Sequence, residues 1–204
     1  SHLDLDKIKI IEEKGSLIHQ GDEGTLDIRI LIEDDAIDYL YHLILGKRIR
    51  FNYGDDMVEY RIDDIEVIPP PVFKGEMVYS AVTPVFLYDQ SQSGGFEFIS
   101  PSHERYPELF KTDLLKRFAS VIPELKSITE LDQYCPEIEF QPISEVEEEE
   151  IFFIMYQYEL VHLKGFRYDF KLKASPIIQE FGYYAGFGAQ NSLGFGCVNV
   201  KQFD

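Results

Sequence analysis

Residues 186–196 read Gly186-Phe187-Gly188-Ala189-Gln190-Asn191-Ser192-Leu193-Gly194-Phe195-Gly196, two Gly-Phe-Gly triplets flanking five residues. Glycine lets the backbone take positive φ and brings its amides close to a neighbouring group. Two readings follow. Successive amides in such a turn form an anion-binding nest that suits phosphate, or the glycines cap a helix and turn the chain into a strand. A dinucleotide fingerprint is excluded, because no third glycine follows Gly188 in register and the flanking order is helix then strand. A phosphate-binding P-loop is excluded too, since no Gly-Lys-Ser/Thr closes the segment.

Upstream of the loop, Ser175 suits an N-cap with Pro176 at N1, and Ile177, Ile178, Phe181, Tyr184 and Ala185 form a helical stripe. Before it, Phe166, Tyr168, Phe170 and Leu172 alternate with Arg167, Asp169, Lys171 and Lys173. One face of that strand is therefore apolar and the other basic. Ile151–Leu163 is expected to form its hairpin partner, with the turn at Lys164-Gly165. Further upstream, Met77–Tyr88 reads as a strand in which Pro84 marks an edge or bulge. Ser91–Gly95 reads as a turn and Phe96–Ile99 as a short strand. A helix is expected from Tyr106-Pro107 to Pro123, with Leu109, Phe110, Leu114, Phe118 and Val121 on its apolar face. The resulting βαββαβ order is a ferredoxin-like plait.

The N-terminal part carries related signals. Leu3, Leu5, Ile8 and Ile10 alternate before the turn Glu13-Lys14-Gly15-Ser16, and Leu26, Ile28, Ile30 and Ile32 alternate again. Ile37, Leu40, Tyr41 and Ile44 fall at helical spacing, with Gly46 as the stop. Strands are expected over 48–53 and 57–68 around Gly54-Asp55-Asp56, and Pro69-Pro70-Pro71 ends any ladder. The expected fold class is α+β, with tandem ferredoxin-like (RRM-like) domains over 1–71 and 72–204. The first is expected to lack its opening strand and helix.

The 204 residues include 45% hydrophobic ones, enough to bury a core and exclude wholesale disorder. No apolar run approaches the roughly 20 residues that cross a bilayer, so no membrane partner is expected. The two cysteines, Cys135 and Cys197, exclude a disulfide scaffold and fit a reducing, cytoplasmic setting. A net charge of −18 repels phosphate backbones as a whole, but the charge is unevenly spread. Residues 1–74 hold 9 basic and 17 acidic groups, residues 75–159 hold 5 and 17, and residues 160–204 hold 5 and 3. The last segment contains Lys164, Arg167, Lys171 and Lys173, which form either a solvated strand face or a local anion-binding surface.

A Gly-hydrophobic-Gly, five-residue, Gly-hydrophobic-Gly loop closing a tandem ferredoxin-like chain resembles the CRISPR repeat-RNA-processing endoribonucleases of the repeat-associated mysterious protein superfamily. Thr83-Pro84-Val85, Ser100-Pro101 and Lys164-Gly165-Phe166 are similar to landmarks of that family. The resemblance implies metal-independent cleavage within the repeats of CRISPR precursor RNA, without a cofactor, as part of antiviral defence. The 2′-oxygen attacks the adjacent phosphate and leaves a 2′,3′-cyclic phosphate, with a histidine suited to the base role and a lysine to stabilising the developing charge. CRISPR repeat RNA is then the expected partner, with other CRISPR effector subunits and a second copy of the chain as further candidates. RNA-binding roles are expected for Lys164, Arg167, Lys171 and Lys173 and for Gly186, Gly188, Asn191, Ser192, Gly194 and Gly196.

The resemblance places the catalytic histidine in the opening helix of the first plait. None of His2, His19, His42, His103 or His162 stands there, so the role is assigned to none. His42 and His162 are expected at core or boundary positions. Asp63-Asp64 and the run Glu147–Glu150 read as solvated faces or loops, and neither cysteine has a histidine nearby in sequence to make it a nucleophile. Two rival readings remain: a catalytically inactive RNA-binding or scaffold homologue, and an acidic protein-interaction domain whose glycine loop is purely structural.

Overall fold

A computed structural model of the chain describes residues 8–11, 16–19, 23–30, 34–53, 56–90, 96–121, 138–154 and 160–201. It divides into two compact units, residues 1–30 and 31–204. The first contains an antiparallel hairpin of β1 (Ile8–Ile11) and β2 (Ser16–His19). The expected strand from Leu26 does not form: residues 26–30 join no ladder, and Leu26, Ile28 and Ile30 are 50%, 59% and 45% exposed. Alternation makes a strand only where an adjacent edge completes its hydrogen bonds, and among the described residues none does.

The second unit opens with α1 (Asp34–Ile44), which ends before Gly46 at φ +74°. The antiparallel pair β3 (Arg48–Tyr53) and β4 (Asp56–Arg61) follows. Strand β4 stops at Arg61, seven residues short of expectation, and residues 62–75 run without regular structure through the three prolines.

The core is a four-stranded antiparallel sheet. In chain order it comprises β5 (Glu76–Ala81), β8 (Glu139–Pro142), β11 (Asp169–Lys173) and β12 (Val198–Val200), arranged β12-β5-β11-β8. With α2 (Tyr106–Val121) after β5 and α3 (Pro176–Ala185) after β11, this is the βαββαβ plait. Two hairpins are inserted: β6 (Tyr88–Gln90) with β7 (Phe96–Phe98), and β9 (Glu147–Ile154) with β10 (Leu160–Arg167).

The inward strand positions Met77, Tyr79, Phe140, Phe170, Leu172 and Val198 meet Phe110, Leu114 and Phe118 of α2 and Ile178 and Phe181 of α3. Phe110 lies 4.4 Å from Phe140 and 5.6 Å from Phe187, ring centre to ring centre. Polar side chains inside this core are paired with one another or with the backbone. Tyr79 donates to Gln179 Oε1 at 3.0 Å, Gln179 Nε2 donates to the Leu172 carbonyl at 2.8 Å, and the Tyr106 and Tyr168 hydroxyls lie 2.6 Å apart. Burial holds both of the last two phenols above their usual range.

The second strand of the plait is β8, not the expected Ile151–Leu163 segment. The hairpin expected to turn at Lys164-Gly165 is instead the β9–β10 pair, in which both residues lie within β10 and Lys164 faces Glu150. Gly165 serves a close approach: a Cβ there would sit 2.7 Å from the Phe86 ring and 2.8 Å from Pro84 Cβ. Gly165→Ala is therefore expected to destabilise the protein by roughly 1–3 kcal/mol through overpacking, read as a lower midpoint in chemical denaturation. A midpoint equal to wild type would show that the seam relaxes freely.

Candidate nucleic-acid interface

The glycine loop leaves α3 at Gly186 and enters β12. Gly186, Gly188, Gly194 and Gly196 have φ of +80°, +76°, +87° and +72°, and Gln190 is left-handed at +62°. These conformations explain the glycines only in part, because space is the second demand. A Cβ on Gly188 would collide with the Phe86 carbonyl and one on Gly196 with the Phe187 carbonyl. Gly182 of α3 leaves room for the Phe187 ring in the same way.

The base of the loop is anchored through its own amides. Phe187 N–H donates to Gly196 O at 2.9 Å, Ala189 N–H to Phe86 O at 2.7 Å and Gly196 N–H to Pro84 O at 2.9 Å. Cys197 N–H donates to Thr83 Oγ1 at 2.9 Å. Leu193 and Gly194 amides close a short 3₁₀ turn on Gln190 and Asn191. These amides hold the loop together and are not turned outward as a nest. Gly186, Gly188 and Gly196 are buried, whereas Gln190, Ser192, Leu193 and Gly194 form an exposed apex.

Asn191 points inward. Its Nδ2 donates to Phe195 O at 2.9 Å and Phe187 O at 3.3 Å, and its Oδ1 accepts from Arg117 Nη1 at 3.1 Å. Gln190 Nε2 ties the apex to the Tyr88 hydroxyl at 2.9 Å.

The basic cluster divides into two pairs. Lys164 and Arg167 lie on β10, which reaches the loop through one seam: Val85 bridges to Phe166, and Phe86 to Ala189. Lys171 and Lys173 lie on β11, on the outer face of the sheet. There they line a shallow depression of about 320 Å³ with Glu76, Glu139, Phe140 and Gln141.

All four cations are matched by carboxylates. Lys164 lies 2.7 Å from Glu148, Arg167 2.7 Å from Glu149, Lys171 3.6 Å from Glu76 and Lys173 3.0 Å from Glu139. Sequence reading missed this pairing. Of the two readings of Glu147–Glu150, the solvated face holds, with Glu147, Glu148 and Glu150 exposed, but it belongs to a strand antiparallel to the cations and not to a loop.

His162 and His42 are both exposed, against the expectation of core or boundary positions. On β10, His162 shares the outward parity of Lys164 and lies 3.4 Å from Glu150. His42 packs edge-on against Tyr41 and falls off the helix's apolar stripe. His103 Nδ1 accepts from the Arg105 amide at 3.2 Å. His2, Cys135 and the side chain of His19 lie outside the described residues. Among the described residues no group of three or more His, Cys, Asp or Glu could hold a metal ion, and no helix is long and apolar enough to cross a membrane.

A ferredoxin-like plait closed by a double-glycine loop, with the β9–β10 hairpin seated on the same seam, defines the class. Residues 68–200 match the family model described as CRISPR associated protein Cas6, C-terminal, and the chain belongs to that family. Among solved structures, it superposes with a TM-score of 0.68 on a Cas6-related protein from Pyrococcus furiosus. The identity is 19% over the whole of this chain and 78% of that one. A RAMP protein described as binding different RNA substrates gives 0.63 at 18% identity, over 84% of this chain and 66% of that one. A Cas6 product complex gives 0.50 at 15% identity, over 81% and 71%. These likenesses establish the shared tandem ferredoxin-like fold. No curated protein sequence matches the chain. Family membership supports a role in processing CRISPR RNA.

Asp169, between the two basic pairs, offers a test of the sheet's outer face. Burial raises its pKa, but hydrogen bonds from Lys201 and Ser80 outweigh this and hold the carboxyl below its usual value. A depressed folded pKa contributes stability above the unfolded carboxylate value, and that stability is lost as pH falls through the folded one. The stability gap between wild type and Lys201→Met is expected to be full at neutral pH and to shrink as pH falls below the ordinary carboxylate value of about 4. Urea titrations across that window read it; a pH-independent gap would assign the Lys201 effect to packing.

Proposed function

We propose that this chain binds the repeat RNA of CRISPR precursor transcripts and acts in their metal-independent cleavage within repeats. The observation that carries this reading is the family match over residues 68–200, supported by the two bridges that seat β10, the strand of Lys164 and Arg167, and the glycine loop on the neighbouring residues Val85 and Phe86. In the proposed reaction a base takes the 2′-OH proton and the 2′-oxygen bonds to phosphorus. The phosphorus–O5′ bond breaks and an acid protonates the leaving oxygen, which gives a 2′,3′-cyclic phosphate and a 5′-hydroxyl. No described histidine is assigned the base role.

Lys164 and Arg167 are proposed as phosphate contacts beside the loop, with Ser192 and Gly194 at the exposed apex. Lys171 and Lys173 extend the track onto the outer face of the sheet. The buried Gly186, Gly188 and Gly196 and the inward Asn191 contribute by shaping the loop.

Filter binding with repeat RNA across a salt series tests the track. Lys164→Glu with Arg167→Glu is expected to weaken binding at least about tenfold and to flatten the slope of log K against log salt by about 1.4, for two lost phosphate contacts. Lys171→Glu with Lys173→Glu gives the same readout for the second pair. An unchanged affinity and slope would remove that pair from the phosphate surface. Cleavage of the repeat by the chain is expected to persist in excess chelator and to leave a cyclic phosphate end; abolition by chelator would contradict the metal-independent route.

A further inference from the structure

We propose that Arg117 of α2 is the positioning residue of the glycine loop, and that through Asn191 it holds the apex in its RNA-binding shape. This rests on the reading above, in which the apex meets RNA. Arg117 stands four residues after Asp113, and its Nε donates to that carboxylate at 2.9 Å. Its Nη1 donates twice across the loop, to Gly186 O at 2.9 Å and to Asn191 Oδ1 at 3.1 Å. Asn191 passes the constraint on, because its Nδ2 reaches the carbonyls of Phe187 and Phe195 on opposite limbs. One guanidinium thus fixes residues in both glycine triplets.

The glycines are cut to fit this relay. A Cβ on Gly186 would lie 2.6 Å from Asn191 Nδ2 and one on Gly196 2.7 Å from the same atom. The two triplets therefore leave a slot for the Asn191 amide.

Stability alone is a poor reason for an arginine here. The guanidinium stacks 5.7 Å over the Phe181 ring, and its Nη2 is buried without a hydrogen-bond partner. A buried donor left unpaired is costly, and an apolar side chain of similar volume avoids that cost. What an apolar side chain cannot do is hold Gly186 and Asn191 at a set separation.

The test measures repeat-RNA affinity and its salt slope for wild type, Arg117→Met, Arg117→Lys and Asn191→Ala, at a temperature where circular dichroism shows each fully folded. Arg117→Met and Asn191→Ala are each expected to bind about tenfold more weakly, since each removes charge-assisted hydrogen bonds that shape the apex. The double variant should be no weaker than either alone, because both break one relay. The salt slope should stay at the wild-type value. Arg117→Lys, which keeps the charge but cannot hold Asp113 and the loop from two separate nitrogens, should behave like Arg117→Met.

Wild-type affinity in the folded single variants would overturn the proposal and leave Arg117 a structural residue. A slope flattened by about 0.7 would also overturn it, by making Arg117 itself a phosphate ligand. If Arg117→Met does not fold, Asn191→Ala and Arg117→Lys carry the same readout. Absence of RNA binding by wild type itself, at low salt, would sink the RNA-binding reading, a result distinguishable from both.

Discussion

The Thr83–Phe86 backbone is approached closely from two sides, and the rest of the site depends on that approach. Val85 and Phe166 exchange amide hydrogen bonds at 2.9 and 3.1 Å, while Phe86 O accepts from Ala189 at 2.7 Å. Neither contact tolerates a side chain at the point of nearest passage, which is why Gly165 and Gly188 occupy those positions. Pro84 contributes from the other direction. Lacking an N–H, it cannot continue the β5 ladder, so the chain leaves the sheet and offers its polar groups to two partners. Strand β10 and the glycine loop are thereby docked on neighbouring residues of one segment, Val85 and Phe86.

Much of the plait was legible because its signals are local. The alternation of Phe166, Tyr168, Phe170 and Leu172 against charged neighbours survives as buried against half-buried positions, and α3 begins at Pro176 after Ser175 as expected. Strand β8 was not legible. Glu139-Phe140-Gln141-Pro142 has one inward apolar residue and a terminal proline, and its strand character comes from the ladder with β11. Gly165 misled for a related reason: a glycine beside a lysine looks like a turn, and only the Phe86 ring reveals that it is a gap in a strand.

The loop shows the same divide between local and non-local information. Its positive-φ glycines could be anticipated from the sequence. The inward rotation of Asn191 could not, because its partner Arg117 lies 74 residues away on a helix whose expected stripe is apolar. The Glu147–Glu150 run was likewise unreadable in isolation. Four consecutive acids look like solvated chain, and they become a strand because the antiparallel ladder with β10 pairs them with Lys164–Arg167.

That charge pairing sharpens what a net −18 means for a protein proposed to hold RNA. Exposed ion pairs contribute only about 0–1 kcal/mol each to stability, so the carboxylates are weak holders of their cations. In the proposed reading, a phosphate chain laid along these cations takes the carboxylates' place at modest cost, gaining counterion release as it does so. A polyanion that does not fit meets the full field of the unreplaced acids, and like charge suppresses wrong partners. For the proposed ligand, the acidity thus acts as a filter on shape. The glycine loop, anchored at its base by the Phe187, Ala189 and Gly196 amides, supplies the shape against which that filter works.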